Sequence, residues 1–217
     1  MIQRVYEGAS RSSKLDKVIV ATDDQRIADE VLRFGGLVQL TDPEHPSGTD
    51  RCGEVAAANP GYDVVLNIQG DEPLVDARQI DGLLEAFQDK DVQIATLGIG
   101  DILFADVNDT NRIKIVLNAQ QEAMYFSRSP IPGYSNYNGN PMVAYPYVRH
   151  IGLYAYRADV LQQLIRLEPT KLERIESLEQ LRWLYHGYKI RVVETDIETP
   201  NIDVPADVEF VMAMLRD

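Results

Sequence analysis

The feature that most constrains the fold is an alternation of short apolar runs with amphipathic segments in the first half of the chain. Residues 17–22, KVIVAT, are typical of a β-branched strand, and residues 63–69, DVVLNIQ, of a strand buried on both faces. The segments between such runs have helical spacing, as in DDQRIADEVLRFGG, which begins with acids and ends at glycines. This alternation predicts an α/β fold with a mostly parallel sheet and helices on both faces. In such sheets, ligands bind beyond the carboxyl ends of the strands.

The pattern changes near residue 110. Residues 112–128, RIKIVLNAQQEAMYFSR, predict a β-hairpin, and residues 129–147 are rich in Pro, Gly, Asn and Tyr, which is typical of a long functional loop. VRHIGLYAYR then predicts a strand, LERIESLEQLRWLYHG a single helix ending at Gly187, and PADVEFVMAMLR a last helix with Pro205 in its first turn. We interpret residues 1–217 as one domain with a hairpin and loop insertion around 112–147.

Charge and cysteine content exclude several classes of function. The formal net charge of −13 argues against a nucleic-acid or anionic-membrane surface, because both require a basic face. The single cysteine, Cys52, excludes an internal disulfide and fits a reducing compartment. The sequence shows neither an apolar run long enough to span a membrane nor a signal peptide, so we expect a cytoplasmic protein.

Two adjacent acids follow the most apolar strand, in the segment Gly70-Asp71-Glu72-Pro73. Neighbouring carboxylates repel each other unless a cation or a substrate offsets their charge. Mg²⁺ is commonly held by one or two carboxylates together with substrate phosphates, so Asp71 is a candidate metal ligand. The alternative is a turn that leads into a helix capped at Asp76.

The segment HPSGTDR places Ser47, Gly48, Thr49 and Arg51 at the start of a helix. Small residues let the main chain approach a ligand, and hydroxyl and amide groups can bind phosphates or base edges. The alternative is an ordinary helix start with Thr49 or Asp50 as the cap.

Further candidates lie in the second half of the chain. Arg128 directly follows a predicted strand and could hold a carboxylate, or could form a salt bridge at the strand end. His150 and Tyr154 share one face of the predicted strand, which could line a cleft or be half-exposed. Glu179 and Gln180 would lie on one helix face with Glu176, aimed at a polyol or simply solvated. Asp203 precedes the last helix, as a metal ligand or an N-cap.

Taken together and in order, these motifs resemble the 3-deoxy-manno-octulosonate (Kdo) cytidylyltransferase family. The resemblance covers essentially the whole chain and is carried above all by SGTDR, QGDEP and YFSRSPIP. It implies a three-layer nucleotide-diphospho-sugar transferase fold with a mostly parallel (mixed) sheet, a homodimer and dependence on Mg²⁺. The implied reaction is CTP + Kdo → CMP-Kdo + pyrophosphate, which feeds lipopolysaccharide biosynthesis.

The resemblance also implies roles for individual residues. Asp71 and Asp203 match the metal aspartates of the family, and Arg128 would orient the carboxylate of Kdo during catalysis. The nucleotide would bind Ser47, Gly48, Thr49, Arg51 and Gln69. The Kdo site would contain Gln69, Arg128, His150, Tyr154, Glu179 and Gln180.

The sequence departs from the family pattern in two places. Family members normally begin with a strand and a basic loop of the type IPARYxSTRLPGKP that binds the triphosphate, whereas this sequence opens at MIQRVYE, which matches the following helix. The usual G-[IV]-D-T-P reads Asn201-Ile202-Asp203-Val204-Pro205, which keeps the aspartate and loses a hydroxyl. Two alternatives therefore stay open: a related CMP-sugar synthetase acting on sialate or an amino analogue of Kdo, and a catalytically impaired remnant that only dimerises or binds sugar.

Overall fold

The computed structural model describes residues 1–100, 102–200, 202 and 205–214. The helices are α1 Ile2–Ala9, α2 Gln25–Arg33, α3 Gly48–Ala58, α4 Ala77–Ala86, α5 Phe104–Asn108, α6 Pro141–Ala144, α7 Ala158–Leu164, α8 Lys171–Glu176, α9 Gln180–Tyr185 and α10 Pro205–Met214. The strands are β1 Val20–Thr22, β2 Val38–Leu40, β3 Val64–Asn67, β4 Ile94–Ile99, β5 Lys114–Leu117, β6 Ala123–Ser127, β7 Val148–Arg157 and β8 Ile190–Thr195. The predicted alternation and the predicted hairpin are confirmed.

The helices α2 and α4 begin where their sequences indicate. Asp24 caps α2 by accepting a hydrogen bond from the amide of Arg26, and Asp76 caps α4 in the same way. Gly35 follows α2 with a φ of +81°, a conformation that glycine adopts without steric cost.

The strands form a two-stranded and a six-stranded sheet. β1 and β2 pair in parallel, while the larger sheet has the order β6-β5-β7-β4-β8 with β3 also paired to β7. β4 and β8 are parallel, whereas β7 is antiparallel to β3, β4 and β5. The predicted α/β class with a mixed central sheet is confirmed, but the expectation that the sheet is mostly parallel is wrong: among the described strands of the larger sheet, β4 and β8 pair in parallel and the other four pairings are antiparallel. The antiparallel pairings centre on β7, because this strand enters the sheet from the hairpin and loop and not from a crossover helix.

Strand β7 is buried on both faces. On one face Ile151 and Leu153 belong to a core that includes residues of α1 and α4, such as Val5 and Ile80. On the other face Tyr154 packs in a second core with residues of α7 and α9. The sheet is therefore a middle layer between helices. The half-exposed interpretation is wrong for residues 153–156, which are buried, whereas His150 is half-buried and Gly152 exposed on the same strand.

The predicted single helix between residues 172 and 187 is wrong, because two short helices occupy this segment. α8 ends at Ser177, which adopts a left-handed conformation with φ 54°, and α9 begins after Glu179. The chain turns between the helices, so Glu176 and Glu179 contact different parts of the protein and not one common ligand face. A capping box of Thr170 and Glu173 fixes the start of α8.

Residues 129–147 are irregular except for the short helix α6, as the composition predicts. The loop is not loose, since Tyr147 is buried and its hydroxyl donates to the carbonyl of Pro132 at 2.9 Å. The Tyr134 ring contacts Phe104 of α5, with ring centroids 5.6 Å apart.

Candidate active site

The segments that follow β1, β2 and β3 meet at the N-terminus of α3. The Arg51 guanidinium pairs with Asp23 after β1, at 3.1 Å, and also contacts the Thr41 hydroxyl after β2. An ideal Cβ at Gly48 would lie only 3.0 Å from Gln69 Nε2, after β3. The predicted gathering of polar residues beyond the strand ends is therefore present. Gly48 is suited to its position because a side chain there would crowd Gln69.

The start of α3 is joined to α9 through Glu179. One Glu179 oxygen lies 3.0 Å from Ser47 Oγ, and the other accepts a hydrogen bond from Thr49 Oγ1 at 2.7 Å. Ser47 is the N-cap, since its hydroxyl accepts from the Asp50 amide at 3.2 Å. The prediction of Thr49 or Asp50 as the cap was wrong because both already lie within the first turn of α3.

Glu179 is a half-buried carboxylate. Burial raises its pKa above the usual value of 4.5, while the hydroxyls of Thr49 and Ser47 and the nearby Arg182 oppose this shift. The two hydroxyls thus favour the ionised form of Glu179, while burial has the larger effect and favours the neutral form. Glu179 then holds two candidate nucleotide-binding hydroxyls in fixed positions.

A line of polar and aromatic side chains leads from Gln69 across the sheet. Gln69 donates to Asn67 Oδ1 at 3.0 Å, and Asn67 faces Tyr154 of β7 across the strand pair. The Tyr154 ring lies 5.3 Å from the His150 ring, so these two predicted residues share one face as expected. Between them Gly152 is exposed, and a Cβ there would meet no atom within 4 Å. The strand thus has an open patch beside its aromatic residues.

His150 and Tyr154 are both held in their neutral forms. His150 Nε2 lies 2.9 Å from the hydroxyl of buried Thr96, and its ring contacts Phe126. Burial, helped by the charge of Arg149, lowers the pKa of His150 to about 3. Burial raises the pKa of Tyr154 well above its usual value, with Tyr156 and Glu179 adding to the effect. His150 can therefore exchange hydrogen bonds with a ligand but does not supply a positive charge near neutral pH.

Arg128 directly follows β6. Its Nε donates to the Glu176 carbonyl at 2.7 Å and its Nη1 to the Thr110 carbonyl at 3.2 Å. Within the described part of the chain it forms no ion pair, so the alternative of a strand-end salt bridge is not supported. These contacts, together with one from Nη2 to the Ser177 carbonyl at 3.4 Å, hold the guanidinium and leave two of its five N–H donors without a partner among the described residues.

The two acids of GDEP differ in how far they are buried. Glu72 is buried, whereas Asp71 is half-buried at the end of the turn after β3. The Asp71 carbonyl accepts from the Ile202 amide at 3.0 Å, which brings the segment after β8 to this strand end. Asp203 itself lies outside the described residues.

The donor set at Asp71 suits Mg²⁺ only in combination with a substrate. The described residues contain no group of three His, Cys, Asp or Glu side chains able to hold a metal alone. No side chain in the described ranges forms an ion pair with Asp71, so its oxygens are available. Mg²⁺ commonly takes one or two carboxylates and completes its shell with phosphates and water, which fits this position.

Several residues near the site had no predicted role. Gln79 of α4 is buried and donates to the Ile197 carbonyl at 3.0 Å, which anchors the segment after β8. Asn67 and Thr96 connect the candidate residues, and a polar side chain in an otherwise apolar strand is the signal that could have found them. Gln180, a predicted sugar ligand, is buried at the start of α9.

No helix in the described residues is long and apolar enough to cross a membrane.

Comparison with known proteins identifies the relatives of this chain. A family model described as Cytidylyltransferase matches residues 1–190. The 3-deoxy-manno-octulosonate cytidylyltransferase of Syntrophobacter fumaroxidans is 46% identical over 99% of this chain and 86% of its own length. The enzyme of the same name from Parabacteroides distasonis is 48% identical over 100% of this chain and 88% of its own length.

Solved structures agree with the sequence relatives. A CMP:2-keto-3-deoxy-manno-octonic acid synthetase complexed with CTP is similar with a TM-score of 0.92 and 40% identity, over 99% of this chain and 87% of the other. A 4-diphosphocytidyl-2C-methyl-D-erythritol synthase from Anaerococcus prevotii shares the fold, with a TM-score of 0.63 and 14% identity over 100% of this chain and 89% of the other.

Proposed function

This chain belongs to the 3-deoxy-manno-octulosonate cytidylyltransferase family, and from that membership we propose that it transfers CMP from CTP to Kdo with release of pyrophosphate. The observation that carries the proposal is the contact of Ser47 and Thr49 with Glu179, beside Gln69 at the ends of the strands. This arrangement presents a helix N-terminus with fixed hydroxyls, which suits a nucleotide.

The reaction needs no covalent enzyme intermediate. The anomeric oxygen of Kdo attacks the α-phosphorus of CTP in line, as its bond to hydrogen is lost to water. A new P–O bond forms, the bond from the α-phosphorus to the bridging oxygen breaks, and pyrophosphate leaves with the electron pair. The protein therefore acts by positioning the two reactants and by stabilising charge.

The two substrates fit different parts of the site. The nucleotide would bind the residues around the start of α3, which are Ser47, Gly48, Thr49, Arg51 and Gln69. Arg128 would hold the carboxylate of Kdo, with His150 and Tyr154 lining the open patch at Gly152, and Glu179 and Gln180 nearby. The neutral His150 can bond to sugar hydroxyls without competing with Arg128 for the carboxylate.

Asp71 would hold Mg²⁺, together with Asp203 if that aspartate acts as it does in the family. When bound, Mg²⁺ offsets the charge of the triphosphate, lowers the pKa of the attacking hydroxyl and stabilises the departing pyrophosphate. We expect Asp71→Asn to raise strongly the Mg²⁺ concentration needed for half-maximal activity. A titration of pyrophosphate release with Mg²⁺ measures this concentration.

Assembly, location and pathway belong to the same proposal. Large apolar side chains are exposed on and beside α5, at Phe104 and Leu103, and in the segment 129–147, at Tyr137 and at Val143 of α6. Burial of these side chains against a second copy would remove apolar surface from water, which supports a homodimer. CTP as substrate and the single cysteine fit the cytoplasm, and CMP-Kdo is the activated sugar for lipopolysaccharide biosynthesis. Sedimentation equilibrium tests the dimer.

The experiment that tests the function is pyrophosphate release from CTP and Kdo with Mg²⁺, with CMP-Kdo identified by ³¹P NMR. We expect release with CTP and little with UTP or GTP, and release with Kdo but not with sialate. A preference for another nucleotide would refute the cytidyl transfer. A preference for sialate or an amino analogue would favour the related synthetases, which the named relatives do not favour.

A further inference from the structure

Lys114, the first residue of β5, is completely buried. Its ammonium donates to the carbonyls of Asp109 at 2.7 Å, Arg112 at 2.5 Å and Arg128 at 2.6 Å. These three contacts use all of its N–H donors. The described residues place no carboxylate in an ion pair with it, so Lys114 acts through main-chain oxygens alone.

Arg128 and Lys114 converge on the same turn. The carbonyls of Asp109 and Arg112 accept from Lys114, while the carbonyl of Thr110 between them accepts from the Arg128 guanidinium at 3.2 Å. Lys114 therefore holds both the main chain of Arg128 and the turn that receives its side chain.

Glu176 completes this framework from the opposite side. Its carboxylate accepts from the Ser127 hydroxyl at 2.8 Å and from the Arg128 amide at 2.9 Å. Its own carbonyl accepts from Arg128 Nε at 2.7 Å. The backbone and the side chain of Arg128 are thus both fixed, while part of the guanidinium's N–H donors stay unused.

A buried ammonium is costly, and an apolar side chain of similar size would fill the space with less loss of hydration. Burial lowers the pKa of Lys114, and the charges of Asp109 and Glu176 act against this shift. What an apolar residue cannot provide is the convergence of three carbonyls on one point. A role in holding geometry explains the charge, whereas a role in filling the core does not.

We propose that Lys114 is a positioning residue for the Kdo site. It holds Arg128 so that the unused N–H donors of Arg128 are presented to the carboxylate of the sugar. This inference rests on the proposed function, in which Arg128 binds that carboxylate. A guanidinium held in one orientation loses less entropy when it binds a carboxylate through two hydrogen bonds.

The test is steady-state kinetics of Lys114→Met, which keeps the length of the side chain and removes its donors. Displacement of a substrate-positioning group by about 1 Å can cost on the order of 100-fold in rate, so we expect the KM for Kdo to rise by about tenfold or more. The KM for CTP should stay within about twofold, because a general loss of structure would affect both substrates. Lys189→Met is the matched control, since Lys189 is exposed and pairs with Glu122 on the surface.

A double-mutant cycle separates this inference from the role of Arg128. We expect Arg128→Met to raise the KM for Kdo, and Lys114→Met to add nothing in the Arg128→Met background, because the two changes remove one function. If Arg128→Met alone leaves the KM for Kdo unchanged, the proposed carboxylate contact fails. If Arg128→Met raises it and Lys114→Met behaves like Lys189→Met, the role of Lys114 is refuted.

A second variant keeps the test valid if Lys114→Met does not fold. Glu176→Gln keeps the shape of the side chain but weakens its contacts with Ser127 and Arg128. We expect a selective rise of the KM for Kdo, smaller than that of Arg128→Met, with an unchanged thermal midpoint of unfolding within about 3 °C. An equal rise for both substrates, or none, would overturn the proposed framework.

Discussion

The contact between Thr49 and Glu179 offers a sharp test of how this site is held together. Thr49 is buried, and its hydroxyl donates to the Glu179 carboxylate at 2.7 Å. Thr49→Val keeps the shape and the branching of the side chain and removes only the donor. A hydrogen bond to a charged group contributes about 1.5–3 kcal/mol, and Glu179 is only half-buried, so we expect a loss of stability near the lower end of this range.

The loss should depend on pH in a defined direction. Burial raises the pKa of Glu179 above 4.5, and the Thr49 hydroxyl opposes this by stabilising the ionised form. Without Thr49 the pKa rises further, so the folded state disfavours the ionised carboxylate more strongly. The difference in stability between variant and parent should be complete above the pKa that Glu179 has in the folded variant, and should be lost below the pKa that it has in the folded parent, which itself lies above 4.5.

Urea unfolding between pH 4 and pH 8 measures this difference, and the thermal midpoint should fall by about 2–4 °C for each kcal/mol. Thr199→Val is the matched control, because among the described residues the Thr199 hydroxyl contacts the neutral amide of Gln79, at 3.4 Å, and no charged group. A Thr49→Val variant as stable as this control, or a loss independent of pH, would refute the role of the Glu179 charge.

Three further predictions concern individual side chains. Because the pKa of His150 is lowered to about 3, the folded protein should lose stability as the pH falls from about 6.5 towards 3; His150→Gln should lessen this loss in urea titrations, and equal acid sensitivity of both proteins would contradict it. Because burial raises the pKa of Cys52 to about 12, its thiol should resist alkylation by iodoacetamide at pH 8 until denaturant is added; fast labelling of the folded protein would contradict this. Trp183→Phe should cost about 1–3 kcal/mol, because the fully buried indole contacts the rings of Tyr154 and Tyr156 and the smaller ring leaves a cavity; an unchanged urea midpoint would contradict the packing.

The sequence was most informative where a signal is local. The caps at Asp24 and Asp76 and the glycine after α2 depend on neighbours within one turn, so the start of α2 and of α4 and the end of α2 were predicted correctly. The prediction of one continuous helix through Ser177 was wrong because the interactions that break the helix are not local. Its apolar spacing continues through the break, and only contacts of Glu176 and Glu179 with distant parts of the chain oppose a continuous helix.

The candidate site was predicted as a set of residues but not as a geometry. Ser47, Gly48, Thr49 and Gln69 were all identified, and their position beyond the strand ends follows from the direction of the strands. The link to Glu179 spans 132 residues along the chain, and no periodicity encodes such a contact. The roles in binding of these residues, and of Asp203, remain predictions.

By itself, the sequence determined the α/β class, the strands of the central sheet and the edge of the sheet at which polar residues gather. It did so because side-chain periodicity reports which faces of a helix or strand are buried. Only the tertiary structure decided that Glu179 fixes the start of α3, that β7 is buried on both faces, and that Lys114 and Arg128 hold the same turn. These arrangements depend on which distant elements pack together, and that choice follows from the free energy of the whole core and not from any local pattern.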